Sequence, residues 1–246
     1  YSLNPRPRLI LVVEGEGEAI HLPKLCHDLL GFSFPTLGIE VMKLGGIANF
    51  TGGKRDRYGA LTKLIDSYHS RQTIVFVILD NEGGVAKVRR HILSTNSIFN
   101  PARKVTKEEY IHLWEKNIEF DNFTDLEIAN ALTEVGQGRY TFNIADVARC
   151  RLQFGSGGDP LSSLFAEKIG NYQLNKTELL GKLFDLMIAN PTVEVLDDEE
   201  LLQGKSERPI TQVLQTLIGL AAGNEPPTTL ESYELNQESG IFGDLA

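Results

Sequence analysis

Two stretches of this chain have no polar face, and they decide what it can fold into. Arg8 to Val13 (RLILVV) and Thr73 to Leu79 (TIVFVIL) are continuous apolar runs of strand length. Such runs are expected of strands covered on both sides, as in a parallel sheet. Ile39 to Leu44 (IEVMKL) alternates like a third strand and stops at Gly45-Gly46. Helical periodicity fills the intervals. Gly17 to Leu30 offers Ile20, Leu25, Leu29 and Leu30 to one face, and Tyr58 to Ser70 offers Leu61, Leu64, Ile65 and Tyr68. Val85 to Leu93 is a basic helix carrying Lys87, Arg89 and Arg90. Pro23 fits the first helix only in its opening turn, which predicts a late start for that helix. Strand and helix alternating three times predict parallel βαβ units with right-handed crossovers.

The remainder reads as mainly helical. Glu109 to Phe120 fits either a strand with a turn or a short helix. Thr124 and Glu127 form a capping-box pattern ahead of Ile128 to Val135. Further helices are expected at Ile144 to Phe154, Pro160 to Ile169, Lys176 to Ala189 and Ile210 to Ala222, broken at Gly155 to Gly158 and at Asn190-Pro191. The expected division is an α/β core over 1–123, a helical region over 124–223 and a polar tail over 224–246.

Composition excludes several classes. With 246 residues, 41% of them hydrophobic and 23% charged, the chain can bury a sizeable core and is not a disordered segment. No apolar run approaches the length of a membrane span. Cys26 and Cys150 are too few for a disulfide scaffold and lack zinc spacing. Arg6, Pro7 and Arg8 lead straight into the first apolar run, so no secretory signal is read and a cytoplasmic setting is expected. Tyr1 in place of an initiator Met suggests a processed chain or a piece of a longer one. A net charge of −9 argues against coating nucleic acid by bulk attraction, but not against carboxylates that hold cations.

Such carboxylates stand where the strands end. The first strand runs into Glu14-Gly15-Glu16-Gly17-Glu18 and the third into Asp80-Asn81-Glu82-Gly83-Gly84. In a parallel sheet, ligands bind at the carboxyl ends of strands. Glu14 and Glu18 share a face if a helix begins at Gly15. Asp80 and Glu82 share a side if their segment is extended. Like charges this close repel unless protons or cations intervene, and hard oxygen ligands suit Mg²⁺ or Mn²⁺. The plainer reading is that these acids complement helix dipoles. A dinucleotide-binding turn is excluded because GxGxxG would need glycine where Ile20 stands. Gly52-Gly53-Lys54 is followed by Arg55, so there is no P-loop. His21, His27, His69, His91 and His112 form no zinc pattern, and Trp114 is expected to be a packing residue.

Val12-Val13-Glu14-Gly15 with Glu18 and Leu22-Pro23, Leu44-Gly45-Gly46 with Asn49-Phe50, and the strand ending in Asp80-Asn81-Glu82 resemble a TOPRIM domain. Their order is most similar to the C-terminal nuclease domain of the overcoming-lysogenization-defect (OLD) family, over residues 8–120 above all. The resemblance implies a Rossmann-like sheet with a two-metal DNA cleavage centre, in a chain that usually follows an ABC-type ATPase. Carried over, Glu14, Glu18, Asp80 and Glu82 would hold two Mg²⁺ or Mn²⁺ ions about 3.5–4 Å apart. Glu82 departs from the commoner Asp. Lys176 matches a downstream lysine that steadies charge on the scissile phosphate, with Lys168 and Lys182 as competitors, and Glu119 or Asp121 matches a further acid.

The resemblance implies a metal-dependent DNA endonuclease of phage defence or DNA processing. Lys54, Arg55, Arg57, Lys87, Arg89 and Arg90 are expected to guide the DNA backbone. An N-terminal ATPase or partner subunit and a homo-oligomer are the expected assembly. Two other readings stand beside this one. One is topoisomerase or primase-like TOPRIM chemistry, for which no tyrosine is singled out. The other is a non-catalytic assembly module.

Overall fold

In a computed structural model the described residues are 6–44, 59–81, 85–155, 158–170, 172–196 and 203–223. The two featureless apolar runs are strands β1 (Leu9–Val13) and β3 (Ile74–Leu79). They lie side by side and parallel at the centre of a four-stranded sheet, flanked by β2 (Ile39–Lys43) and β4 (Ile111–Leu113), in the order β2-β1-β3-β4. All three pairings are parallel, so the Rossmann-like α/β sheet expected from the sequence is the observed fold.

The alternation within each central strand divides its side chains between two cores. Leu9, Leu11 and Val13 of β1, with Phe76 and Ile78 of β3, face the larger cluster. Ile10 and Val12, with Val75, Val77 and Leu79, face the smaller one. On the smaller side lie α3 (Gly59–His69) and α4 (Val85–Ser94), through Leu61, Ile65, Val85, Val88 and Ile92. The larger side is covered by α1 (Glu16–Leu30), α2 (Phe34–Leu37) and the helical second half of the chain. That half comprises α5 (Ile118–Asn122), α6 (Asp125–Val135), α7 (Ile144–Gln153), α8 (Pro160–Ile169), α9 (Lys176–Ala189) and α10 (Pro209–Ala222). The central-strand side chains on both faces come from the two apolar runs, while Phe34, Val105, Phe142 and Leu174 join the cores from segments the sequence does not mark.

The caps hold where they were read. Thr124 Oγ1 accepts the Glu127 N–H at 3.2 Å, and the Glu127 carboxylate accepts the Thr124 N–H at 2.9 Å. Three expectations are corrected. Helix α1 begins at Glu16, not late, and Pro23 lies in its interior, where flanking packing by Leu22, Leu25 and Cys26 holds the turn together. The segment read as strand or short helix contains both, a 3₁₀ turn at Glu108–Tyr110 and β4, with α5 after them. An antiparallel hairpin of β5 (Thr192–Leu196) and β6 (Gln203–Glu207) joins α9 to α10, where no strand was expected.

Buried Arg208 ties that junction to the rest. Its guanidinium donates to both Glu127 carboxylate oxygens at 2.6 and 3.1 Å, to the Asn122 carbonyl at 2.6 Å and to the Asn190 carbonyl at 3.0 Å. Both cysteines are buried free thiols, and Trp114 is a core residue as expected. No described helix is long and apolar enough to cross a membrane.

Candidate active site

The register of the sheet carries two acids to one end. Val12 is level with Val77, so two residues further on Glu14 is level with Leu79 and Asp80 is one step beyond. Neighbouring strands are about 4.8 Å apart. On the other side of β1, Val13 is level with Lys43, which brings a lysine to the same edge. The turn after β3 is fastened to the segment after β4. Trp114 N–H donates to the Leu79 carbonyl at 3.0 Å, Asn81 N–H to the Lys116 carbonyl at 2.7 Å, and the Asn81 amide to the Glu115 carbonyl at 2.9 Å.

A second set of groups arrives on helix α9, which crosses α1 at close range. A methyl group on Gly17 would lie 3.2 Å from Leu180 Cδ2, and one on Gly181 would lie 2.8 Å from His21 Cε1. Two absent side chains thus let the helices meet, and His21 Nε2 donates to the Thr177 carbonyl at 2.9 Å. The first turns of both helices open into the same cleft. Its volume is about 440 Å³, and its lining includes Glu14, Glu18, Asp80, Glu119, Lys43 and Lys176.

Burial in this cleft changes the acids' chemistry. Glu18 and Glu119 are each only 6% exposed. Burial pushes the Glu18 carboxyl up to about 7, aided by the charges of Glu119 and Glu14 and opposed by the Gly15 N–H, which donates to Glu18 Oε2 at 2.8 Å. One oxygen of Glu14 (Oε2) and one of Asp80 (Oδ1) are shielded from solvent.

Lys176 sits among these acids at the first position of α9, and its ammonium is 3.1 Å from Asp159 Oδ2. Burial works against its charge, but Glu119, Asp159 and Asp80 outweigh burial and hold it above the ordinary lysine range.

The structure thus brings Glu14, Glu18, Asp80, Glu119 and Lys176 together. Asp121 is turned instead to its own loop, where its carboxylate accepts the Lys116 N–H at 3.2 Å. Lys168 and Lys182 are paired with Glu167 and Glu134, away from the cleft lining. Lys87 and Arg90 are exposed on α4, which packs on the sheet face opposite α1 and α9. Glu82, Lys54, Arg55 and Arg57 fall outside the described residues.

Lys43 and Asp159 also reach the site, and sequence reasoning names neither. Lys43 does so by strand register and Asp159 by the packing of α8 near α9.

The donors fit a hard divalent cation in kind, since the acids of the cleft are all carboxylates with no thiolate or imidazole acceptor among them. They are not yet gathered around one point. Among the described residues, no three His, Cys, Asp or Glu side chains converge as a ready ligand set. Glu18 is engaged in its cap and Lys176 occupies part of the space.

The fold and cleft define a parallel α/β sheet with acidic groups at neighbouring strand ends and a lysine delivered by a later helix. Among solved structures, the chain is similar to the C-terminal region of the Xanthomonas campestris pv. campestris OLD protein, at 19% identity and a TM-score of 0.49, covering 87% of this chain and 96% of that one. It is also similar to the C-terminal region of the Burkholderia pseudomallei OLD protein, at 19% identity and a TM-score of 0.47, covering 73% and 88%. These are C-terminal regions of the family that the sequence motifs resemble. At such identities and scores the likeness is one of outline alone. Comparison with protein-family models finds no match, and neither does comparison with curated proteins.

Proposed function

We propose that the chain is a divalent-metal-dependent DNA endonuclease that hydrolyses phosphodiester bonds in this cleft. One observation carries the reading. Glu14 and Asp80, from the ends of adjacent parallel strands, line a single cleft with Glu18, Glu119 and Lys176. Mg²⁺ or Mn²⁺, two ions in the full site, would be held by Glu14 and Asp80, with Glu18, Glu119 and Glu82 as the further carboxylates. Bound cations of this kind activate water and stabilise a leaving oxygen.

The chain's own residues supply the rest. Burial raises the Glu18 carboxyl to about 7, so near neutrality it is partly protonated and repels the neighbouring carboxylates less. Lys176 brings a fixed positive charge to the mouth of the same cleft, where charge would grow on a phosphate. The first turns of α1 and α9 add backbone N–H groups that favour an anion.

On this reading Lys87 and Arg90, with Lys54 and Arg55, guide the DNA backbone outside the cleft. The helical region over 124–223 completes the site through Lys176. The chain is the nuclease part of a longer, cytoplasmic, homo-oligomeric ATPase–nuclease of phage defence or DNA processing.

The test is nicking of supercoiled plasmid with Mg²⁺ or Mn²⁺. Nicking by the wild type that disappears in both Glu14→Ala and Asp80→Ala supports the reading. Nicking that survives in both variants overturns it.

A further inference from the structure

Lysine at the first position of a helix is electrostatically misplaced, because the N-terminal end of the dipole repels cations. Lys176 stands at that position of α9, which is capped by Asn175 through the Glu178 N–H at 3.1 Å, so the helix itself gains nothing from the ammonium. What holds it is an acid from another helix. Asp159 caps α8, and its two oxygens divide the work. Oδ1 accepts the Leu161 N–H at 3.2 Å, while Oδ2 faces the Lys176 ammonium at 3.1 Å and accepts the Ser162 hydroxyl. The Asp159 side chain is 19% exposed, against 50% for Lys176, so the acid is the fixed partner and the lysine the held one.

We infer that Asp159 is a positioning residue that fixes the Lys176 ammonium over the carboxylate cleft. The role rests on the metal-hydrolase reading above and deepens it. A helix cap needs only one oxygen, and Asn caps as well as Asp. Oδ2 also accepts the Ser162 hydroxyl in that turn, but a neutral Asn side chain can keep a hydrogen bond to Ser162, so the negative charge is what the start of α8 does not need. Without that charge, the acids that still favour the Lys176 ammonium among the described residues are Glu119 and Asp80, which a cation would engage. Asp159 keeps the lysine in place when those acids are occupied.

Asp159→Asn separates the two tasks, since it preserves the cap and removes the charge. The first readout needs no catalysis. It is acetylation of Lys176 in the metal-free protein, quantified by peptide mass spectrometry, with Lys182 (paired with Glu134) as internal reference. Asp159→Asn is expected to raise Lys176 labelling about tenfold, the change that one unit of lowered pKa would bring, and to leave Lys182 unchanged. Equal labelling of Lys176 in both proteins overturns the inference, whether or not the protein cleaves DNA. The second readout is plasmid nicking with Mn²⁺. Asp159→Asn is expected to lower kcat by about tenfold or more with KM nearly unchanged, and to cause no further loss in a Lys176→Ala background. Losses that add in the double variant also overturn it. A wild type that nicks nothing defeats the nuclease reading and leaves the labelling result to decide the pairing.

Discussion

Glu14 and Asp80 leave adjacent parallel strands one residue out of step, with Glu14 level with Leu79 and Asp80 just beyond it. The central strands are buried on both faces, so this offset is locked by two cores at once. A one-residue slip of β3 would send Phe76 and Ile78 into the wrong core. The strand ends from which the two acids leave are therefore set by the sheet.

Glu18 makes the protein's stability depend on pH. Its carboxyl titrates at about 7 in the folded state against an ordinary 4.5, so the folded form binds the extra proton between those values. The contribution is full below the ordinary value and is lost as pH rises through the folded one. Glu18→Gln keeps an acceptor for the Gly15 N–H and removes the titration. In chelator at pH 8 it is expected to stabilise the protein by roughly 1–3 kcal/mol, with little difference at pH 4. Urea unfolding at the two pH values checks this, and an equal effect at both would contradict it.

Two helical glycines should respond in opposite directions to alanine. At Gly181 a methyl would meet His21 at 2.8 Å, whereas at Gly219 nothing lies within 4 Å. Gly219→Ala is expected to stabilise α10 by about 0.5–1 kcal/mol through helix propensity. Gly181→Ala gains the same propensity but overpacks the crossing of α1 and α9 by about 1–3 kcal/mol, so its net effect is destabilising. Thermal unfolding of both variants reads the difference.

Removing the buried Arg208 should be among the most damaging single changes. It leaves the Glu127 carboxylate with only its Thr124 cap bonds and takes the guanidinium donor from the carbonyls of Asn122 and Asn190. Arg208→Ala is expected to destabilise by about 3–5 kcal/mol, measured by urea unfolding. Loss of under 1 kcal/mol would mean that solvent replaces the guanidinium.

Much of the fold is legible in the residue order because the sheet is covered on both faces. RLILVV and TIVFVIL suit strands buried on both faces, and Thr124 with Glu127 marks a helix start by its capping box. The late start read from Pro23 gave way because tertiary packing outweighs one lost backbone bond. The β5–β6 hairpin escaped notice because QGKSE has no strand-like apolar alternation and owes its place to pairing. Glu14 and Asp80 were readable from the strand ends that precede them. Lys43 and Asp159 were not: Lys43 adjoins the Leu44-Gly45-Gly46 turn but reads as an ordinary strand residue, and Asp159 simply follows a glycine break. Register brings Lys43 there, and the pairing of the α8 cap with the start of α9 brings Asp159.

Calorimetric titration of Mn²⁺ into the wild type, Glu14→Ala and Asp80→Ala tests the central claim most directly, that carboxylates from two strand ends act together on hard cations. The account predicts binding by the wild type, weakened at least about tenfold in each single variant. Equal binding by all three proteins, or none by the wild type, would contradict it.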